Sequence, residues 1–292
     1  MTLPEEIRDE RLTLSFEVFP PKTDTALENV RGATEQIAAL KPAFVSVTYG
    51  AGGAGSRFTL DIARDLREKT GVEILVHLTS VGSDMESVRR FLTQMRENGL
   101  ENVMALRGDL PADGRRPEAF PHAADLIREI RKAGRFCIGA ACYPEVHPES
   151  RNQAEDIRSL KEKEEAGADF LTTQMFFDNN LLYNFLYKLR EAGVSLPVVP
   201  GIMPITAGNQ VKRARELSGS FMPRRFISLV DRFGGDPRAM CQAGIAYATD
   251  QIIDLYANGI RHVHVYTMNK PEVAAAIQNN LREMLGKSFQ AN

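Results

Sequence analysis

Two kinds of apolar pattern alternate along this chain. Short runs, near-continuously apolar and rich in β-branched side chains, recur at residues 13–19, 43–49, 73–79, 102–108, 136–143, 169–176, 197–203 and 261–267. Runs of this length without polar alternation predict strands buried on both faces, as in a parallel sheet covered by helices. The segments between them carry helical spacing. Leu182, Phe185, Leu186 and Leu189 follow i, i+3, i+4, i+7, and Val273, Ile277 and Leu281 repeat every four residues. Gly71, Gly134, Gly167 and Gly193 mark helix ends. Eight strands alternating with helices predict a closed (β/α)8 TIM barrel in preference to an open doubly wound sheet. The stretch between Pro204 and Gly259 has room for two or three helices, so extra helices are expected in the seventh βα connection. No linker or low-complexity segment breaks the pattern, and residues 1–292 are expected to form one catalytic barrel domain.

A barrel of this kind carries its ligand chemistry where the strands end and the βα loops begin. Glu17, Thr48, His77, Asp109, His147 and Gln174 each lie at or just past the carboxyl end of an apolar run. Strand parity puts Ser15, Glu17 and Phe19 on one face, Ser46 and Thr48 on one face, and Ala105, Arg107 and Asp109 on one face. Faces bearing Glu or Asp are expected to point into the barrel mouth. The aromatics around Glu17 would desolvate its carboxyl and raise its pKa, as suits a general acid, although a structural ion pair fits the local sequence equally well. Gly50 to Gly55 match G-x-G-x-x-G after a strand, yet that strand is the second and the next one ends in Leu78-Thr79-Ser80, without a ribose-binding acid. A glycine-rich loop that admits a flat ligand to the backbone is the better reading, with a merely flexible loop as the alternative. Arg107-Gly108-Asp109 suits a ligand lying close to backbone. Tyr143-Pro144-Glu145-Val146-His147-Pro148 is a rigid loop presenting a ring, a carboxylate and an imidazole, or else a structural turn.

Charge and cysteine usage narrow the classes. The 292 residues carry 36 Lys and Arg against 38 Asp and Glu, a net charge of −2 that favours neither nucleic acid nor an anionic membrane. Three cysteines without framework spacing, no membrane-length apolar run and a charged segment at residues 1–12 lead to the expectation of a reduced, cytoplasmic setting. His262 and His264 form an H-x-H on one strand face, but no HExxH or paired-cysteine motif accompanies them, so no metal site is expected. No G-x-S-x-G elbow or P-loop occurs.

An ordered set of strings carries more. SFEVFPPK (residues 15–22), KPAFVSVTYGAGG (41–53), ALRGDLP (105–111), YPEVHPE (143–149), TQMFFD (173–178) and PGIMPI (200–205) resemble the methylenetetrahydrofolate reductase family in order and spacing. The likeness runs from about residue 15 to residue 269 and is to the compact bacterial form. It implies a soluble oxidoreductase of one-carbon metabolism and methionine biosynthesis, commonly a homo-oligomer, with non-covalent FAD and with NADH or NADPH as co-substrate. Electrons pass first from the nicotinamide to FAD. After exchange of ligands they pass to 5,10-methylenetetrahydrofolate, giving 5-methyltetrahydrofolate in a ping-pong cycle.

By the same resemblance Glu17 stands at the proton donor that opens the folate's five-membered ring. Asp109 stands at the carboxylate that supports the resulting cation. Thr48, Tyr49, Ala51, His77, Arg107, Gly108, Asp109, Tyr143, His147, Asp156 and Lys163 match flavin-binding positions, and Gln174, Gln210 and Lys270 match substrate contacts. Asp156 and Lys163 are seven residues apart and so share a helix face, as a clamp on the FAD tail would need. Three residues depart from the family pattern. Ala214 replaces a large residue where the nicotinamide stacks, Lys270 replaces an Arg, and Ser159 replaces an Asn at a flavin contact; the loop near residues 120–123 is also longer. A flavin-free folate- or corrinoid-linked methyltransferase barrel and a non-catalytic folate or flavin binder are the competing classes.

Overall fold

Every apolar run becomes a strand, and one of them breaks in two. The computed structural model describes residues 2–21, 23–49, 55–111 and 113–287. Its strands are β1 (Thr13–Val18), β2 (Phe44–Val47), β3 (Glu73–Thr79), β4 (Asn102–Leu106), β5 (Cys137–Cys142), β6 (Phe170–Thr173), β7 (Val198–Val199), β8 (Gly201–Ile202) and β9 (His262–Tyr266). All ladders are parallel, in the order β7-β6-β5-β4-β3-β2-β1-β9-β8. The two ends of that order, β7 and β8, flank Pro200 and are halves of one strand. One half pairs Val198 with Leu171; the other pairs Gly201 with His264. Pro200 has no N–H to give, but its carbonyl accepts from the His264 amide at 2.8 Å. The sheet therefore closes on itself as the eight-position barrel that the pattern predicts.

The helices are α1 (Leu3–Arg8), α2 (Leu27–Ala38), α3 (Gly55–Thr70), α4 (Met85–Glu97), α5 (Ala123–Ala133), α6 (Gln153–Ala166), α7 (Asn179–Glu191), α8 (Gln210–Ser218), α9 (Arg224–Phe233), α10 (Pro237–Ala257) and α11 (Pro271–Leu281). The seventh connection holds α8, α9 and α10, as its length requires. Outward strand residues such as Leu14, Phe16, Val18, Val45 and Val76 pack with the helices in the main core. Inward ones form a second cluster, Phe44, Leu75, Met104, Cys137, Phe170 and Val199, to which α1 adds Leu3 and Ile7. Helix α1 thus stoppers the amino end of the barrel and leaves the carboxyl end open. A third cluster under the seventh connection joins Phe177, Met203, Ile205, Ala214, Phe226, Met240 and Tyr247. There α10 meets the chain after β8 backbone to backbone: a Cβ on Gly244 would stand 1.9 Å from the Ile205 carbonyl oxygen.

Strand parity holds in β1, where Leu14, Phe16 and Val18 face the helices. It fails in β4. Ala105 faces the outer core, while Met104 packs in the inner cluster with Leu106 against it. Arg107 and Asp109 share Ala105's parity, but the strand ends at Leu106 and Gly108 turns the chain at φ 87°. The turn, not the pleat, brings Arg107 and Asp109 to the barrel mouth.

Candidate active site

The open end of the barrel encloses a cavity of about 610 Å³. Twelve residues expected from the sequence line it: Glu17, Thr48, Tyr49, His77, Arg107, Gly108, Asp109, Tyr143, His147, Asp156, Lys163 and Gln174. Ser159 is on the same wall. Ala51 lies outside the described residues.

The floor is built by inward positions of adjacent strands. Glu17 stands beside Ser46, its register partner on β2. Its Oε2 lies 3.7 Å from His77 Nε2 and 4.0 Å from His264 Nε2. Burial pushes the Glu17 carboxyl up to about 8, and a hydrogen bond opposes this only when Ser46 donates to the ionised form. Burial pushes His77 down to about 4 and His264 down to about 3. At neutral pH the acid is protonated and both imidazoles are neutral, so these approaches are not ion pairs. The Nε2 of His77 and the Oγ1 of Thr172 are buried without a hydrogen-bond partner. The exit of β1 is pinned from the β9–α11 loop. Thr267 Oγ1 donates to the Glu17 carbonyl at 2.6 Å, and Asn269 accepts from the Phe19 amide at 3.0 Å and donates to its carbonyl at 2.8 Å. Met268 and Asn269 hold left-handed φ of 54° and 53° to make that grip.

Along the wall, Gly108 leaves backbone facing the cavity, and a Cβ there would come within 3.3 Å of the Thr79 side chain. Arg107 is held bidentately by Glu149, with Nη1 to Oε2 at 2.7 Å, and Arg116 reaches the same carboxylate at 3.5 Å. The Tyr143 ring meets His147 edge-on, with centroids 4.6 Å apart, and its hydroxyl is joined to Gln174. Asp109 is exposed at the mouth. Toward the α6 end, Asp156 accepts from the His147 amide at 3.2 Å and from the Ser150 hydroxyl at 3.5 Å. Lys163 donates to the Ala141 carbonyl at 2.8 Å. Burial raises the Asp156 carboxyl and lowers the Lys163 ammonium from their ordinary values.

Three expected positions fall elsewhere. Gln210 and Lys270 are brought to each other but do not line this cavity. Gln210 Oε1 accepts from the amides of Thr206 and Ala207 at 2.9 and 3.0 Å, and Lys270 Nζ donates to the Thr206 hydroxyl at 2.8 Å. Ala214, expected at a stacking surface, is 3% exposed within the third cluster because the apolar side of α8 is turned inward. Sequence reading missed Ser46, His264, Tyr266, Glu149 and Thr206 as site residues. Parity contained a signal for the first two, since Ser46 shares a face with Thr48 and His264 one with His262.

This floor and wall combine a protonated carboxyl, neutral imidazoles and an exposed carboxylate in one cleft. The sequence profile of the methylenetetrahydrofolate reductase family matches residues 2–282. The chain belongs to that family. The 5,10-methylenetetrahydrofolate reductase of Pectobacterium carotovorum subsp. carotovorum is 35% identical over 271 residues, 93% of this chain and 90% of its own length. That of Escherichia coli (strain K12) is 32% identical, covering 93% and 91%. Methylenetetrahydrofolate reductase (NADH) 1 of Zea mays is 34% identical, covering 95% of this chain but 49% of the plant protein. The family resemblance read from the motifs is thus borne out, and the relatives are named as oxidoreductases of methylenetetrahydrofolate. Among solved structures, a Clostridium thermocellum protein described as binding two copies of 5-methyl-5,6,7,8-tetrahydrofolic acid superposes with a TM-score of 0.66 at 14% identity, covering 97% of this chain and 98% of that chain. It bears out the barrel fold. Among the described residues, no helix is long and apolar enough to cross a membrane and no group of His, Cys, Asp and Glu suits a metal ion.

Proposed function

We propose that the protein reduces 5,10-methylenetetrahydrofolate to 5-methyltetrahydrofolate with FAD as cofactor and NADH or NADPH as electron donor, the two half-reactions alternating in one cavity. The observation that carries this reading is the placement of Glu17 on the floor of an open cleft, with two imidazoles near its carboxyl and no Lys or Arg paired to it among the described residues. A structural ion pair would have held it ionised. Family membership supports the folate reaction.

The residues fit a flavin. A buried imidazole nitrogen without a partner, on His77, and a stretch of bare backbone at Gly108 offer a polar contact and a close approach to a flat ring system. Thr48, Tyr49, His77, Arg107, Gly108, Asp109, Tyr143 and His147 would hold the ring and its chain. Asp156 and Lys163 would hold the tail with Ser159 beside them, and Ala51 is a flavin position by sequence motif alone. When bound, the flavin supplies two-electron transfer between the nicotinamide and the methylene carbon of the folate. Glu17 holds the proton that the folate nitrogen needs as the five-membered ring opens, and after delivery its carboxylate faces the cation it has made. Asp109 adds a second negative charge at the mouth of the cleft. Gln174, anchored to Tyr143, orients the pterin. Gln210 and Lys270 reach the folate once the loop at Thr206 exchanges its hydrogen bonds for ligand.

The test is an anaerobic visible spectrum of the purified protein, titrated with NADH or NADPH and then with methylenetetrahydrofolate. A yellow protein that bleaches with a nucleotide and regains colour with the folate is expected. A colourless protein that cannot be reconstituted with FAD would overturn the reading.

A further inference from the structure

His264 is buried, titratable and without a part in the reaction described above. Its ring is fixed on every side. Phe44 stacks on it at 5.4 Å and 13°, and Tyr266 meets it edge-on at 5.6 Å. Its Nδ1 lies 2.7 Å from Ser15 Oγ and its Nε2 lies 3.0 Å from Ser46 Oγ. Strand register produces this arrangement: Ser15 is the partner of His264 across β1–β9, and Glu17 is the partner of Ser46 across β1–β2. Ser15, His264 and Ser46 therefore form a hydrogen-bonded file of inward side chains, and Glu17 stands next in it as the register partner of Ser46.

The file has a direction. Each serine owns one hydrogen, and a neutral imidazole has one donor and one acceptor. Ser15 can spend its hydrogen on the Val263 carbonyl at 3.4 Å, which leaves its oxygen to accept from His264 Nδ1–H. Then Nε2 is an acceptor and takes the hydrogen of Ser46. The Ser46 oxygen is left as an acceptor toward Glu17, so its best partner is a carboxylic acid that donates. A carboxylate in the same place would meet lone pairs.

We propose that His264 is a positioning residue that keeps Glu17 in its proton-donating form by claiming the only hydrogen of Ser46. This rests on Glu17 being the proton donor of the reaction. The titratable groups facing His264 are Glu17 from β1, His77 from β3 and Tyr266 from its own strand β9. None of them is a fixed cation that would hold the acid ionised. When Glu17 ionises at equilibrium, the file reverses: His264 becomes the Nε2–H tautomer, donates to Ser46, and Ser46 donates to the carboxylate.

The direct test is nitrogen-15 NMR of the purified protein with labelled histidine, titrated through the ionisation of Glu17, with H264F identifying the resonance. The expected result is an Nδ1–H tautomer at low pH that changes to Nε2–H as Glu17 loses its proton. E17Q should abolish the change. A single tautomer throughout, in wild type, overturns the proposal. The second test is the pH dependence of folate reduction. Either S15A or H264F frees the Ser46 hydrogen for the carboxylate, and the alkaline limb should move down by about one pH unit, about tenfold in the ionisation equilibrium. A uniform loss of rate with the limb unmoved marks a merely structural role and overturns the proposal. Full folate turnover by E17Q would instead remove Glu17 as proton donor, while the tautomer change would still establish the file.

Discussion

Glu17→Gln should make the protein more stable above about pH 6 while abolishing folate reduction. Glu17 has a folded-state value of about 8 against an ordinary value of 4.5. Between those values the native state holds a proton that the unfolded chain releases, so wild-type stability is fully present below about pH 4.5 and falls as pH rises through the window. At pH 7 the interval of about 2.5 pH units corresponds to roughly 3 kcal/mol, at about 1.4 kcal/mol per unit. At pH 5 the same reckoning leaves under about 1 kcal/mol. The variant carries no titrating group at this place. Its advantage over wild type should therefore grow by about 2 kcal/mol from pH 5 to pH 7, or about 4 °C in thermal midpoint for a chain of this size. The assay is thermal unfolding of both proteins, in matched cofactor state, at those two pH values. Comparing the two gaps cancels whatever the amide itself costs in the floor. A gap that is constant, or that shrinks toward pH 7, would refute the placement of a protonated carboxyl on the cavity floor.

Gly244→Ala gains about 1 kcal/mol of helix propensity, but its Cβ would stand 1.9 Å from the Ile205 oxygen, a backbone atom, so a net loss of about 1–3 kcal/mol is expected in thermal unfolding. A raised midpoint would show that α10 has slack there. Asn269→Ala removes both bonds to Phe19 and leaves alanine at φ 53°, which should cost about 2–3 kcal/mol in the same assay; an unchanged midpoint would deny the grip any importance. Lys163→Met should weaken FAD binding about tenfold, read from flavin fluorescence on reconstitution, and an unchanged affinity would remove Lys163 from the site. Asp109→Asn should slow folate reduction by about tenfold or more while sparing flavin reduction by the nucleotide, in single-turnover kinetics. Equal slowing of both steps would place its charge elsewhere.

Some of these groups are visible in the sequence and others are not, for physical reasons. The eight runs are legible because strands buried on both faces have no polar alternation to confuse them with surface helix. Glu17 is legible because a lone carboxylate in SFEVFPP breaks an apolar run at its carboxyl end. Arg107 and Asp109 were placed correctly for the wrong reason, since parity stops where Gly108 turns the chain. Pro200 within the seventh run gave no hint that the strand would serve two neighbours, because only closure of the sheet asks it to. Helix α1 is six residues long, too short for periodicity to announce, and its Leu3 and Ile7 find their role only against the inner cluster. In the sequence His264 reads as half of an H-x-H motif. Its actual partners are on β1 and β2, 249 and 218 residues away, and pairings at that separation are set by register. The surroundings of Gln210 and Ala214 are equally invisible in the sequence: one side chain caps the loop at Thr206, and the other is sealed in a core by the orientation of α8.

Closure through β9 bears on how the molecule comes into being. The first strand carries Glu17, yet one of its flanks is completed by the last. During synthesis at about 5–20 residues per second, β1 waits on the order of tens of seconds before its partner leaves the ribosome. Until then the strand has an open edge, the Ser15–His264 pair does not exist, and the acid has no floor around it. The late arrival of His262–Tyr266 makes the floor around Glu17 wait for β9, so a nascent chain that has already formed β4 and β5 would still lack the Ser15–His264 pair beside that carboxyl.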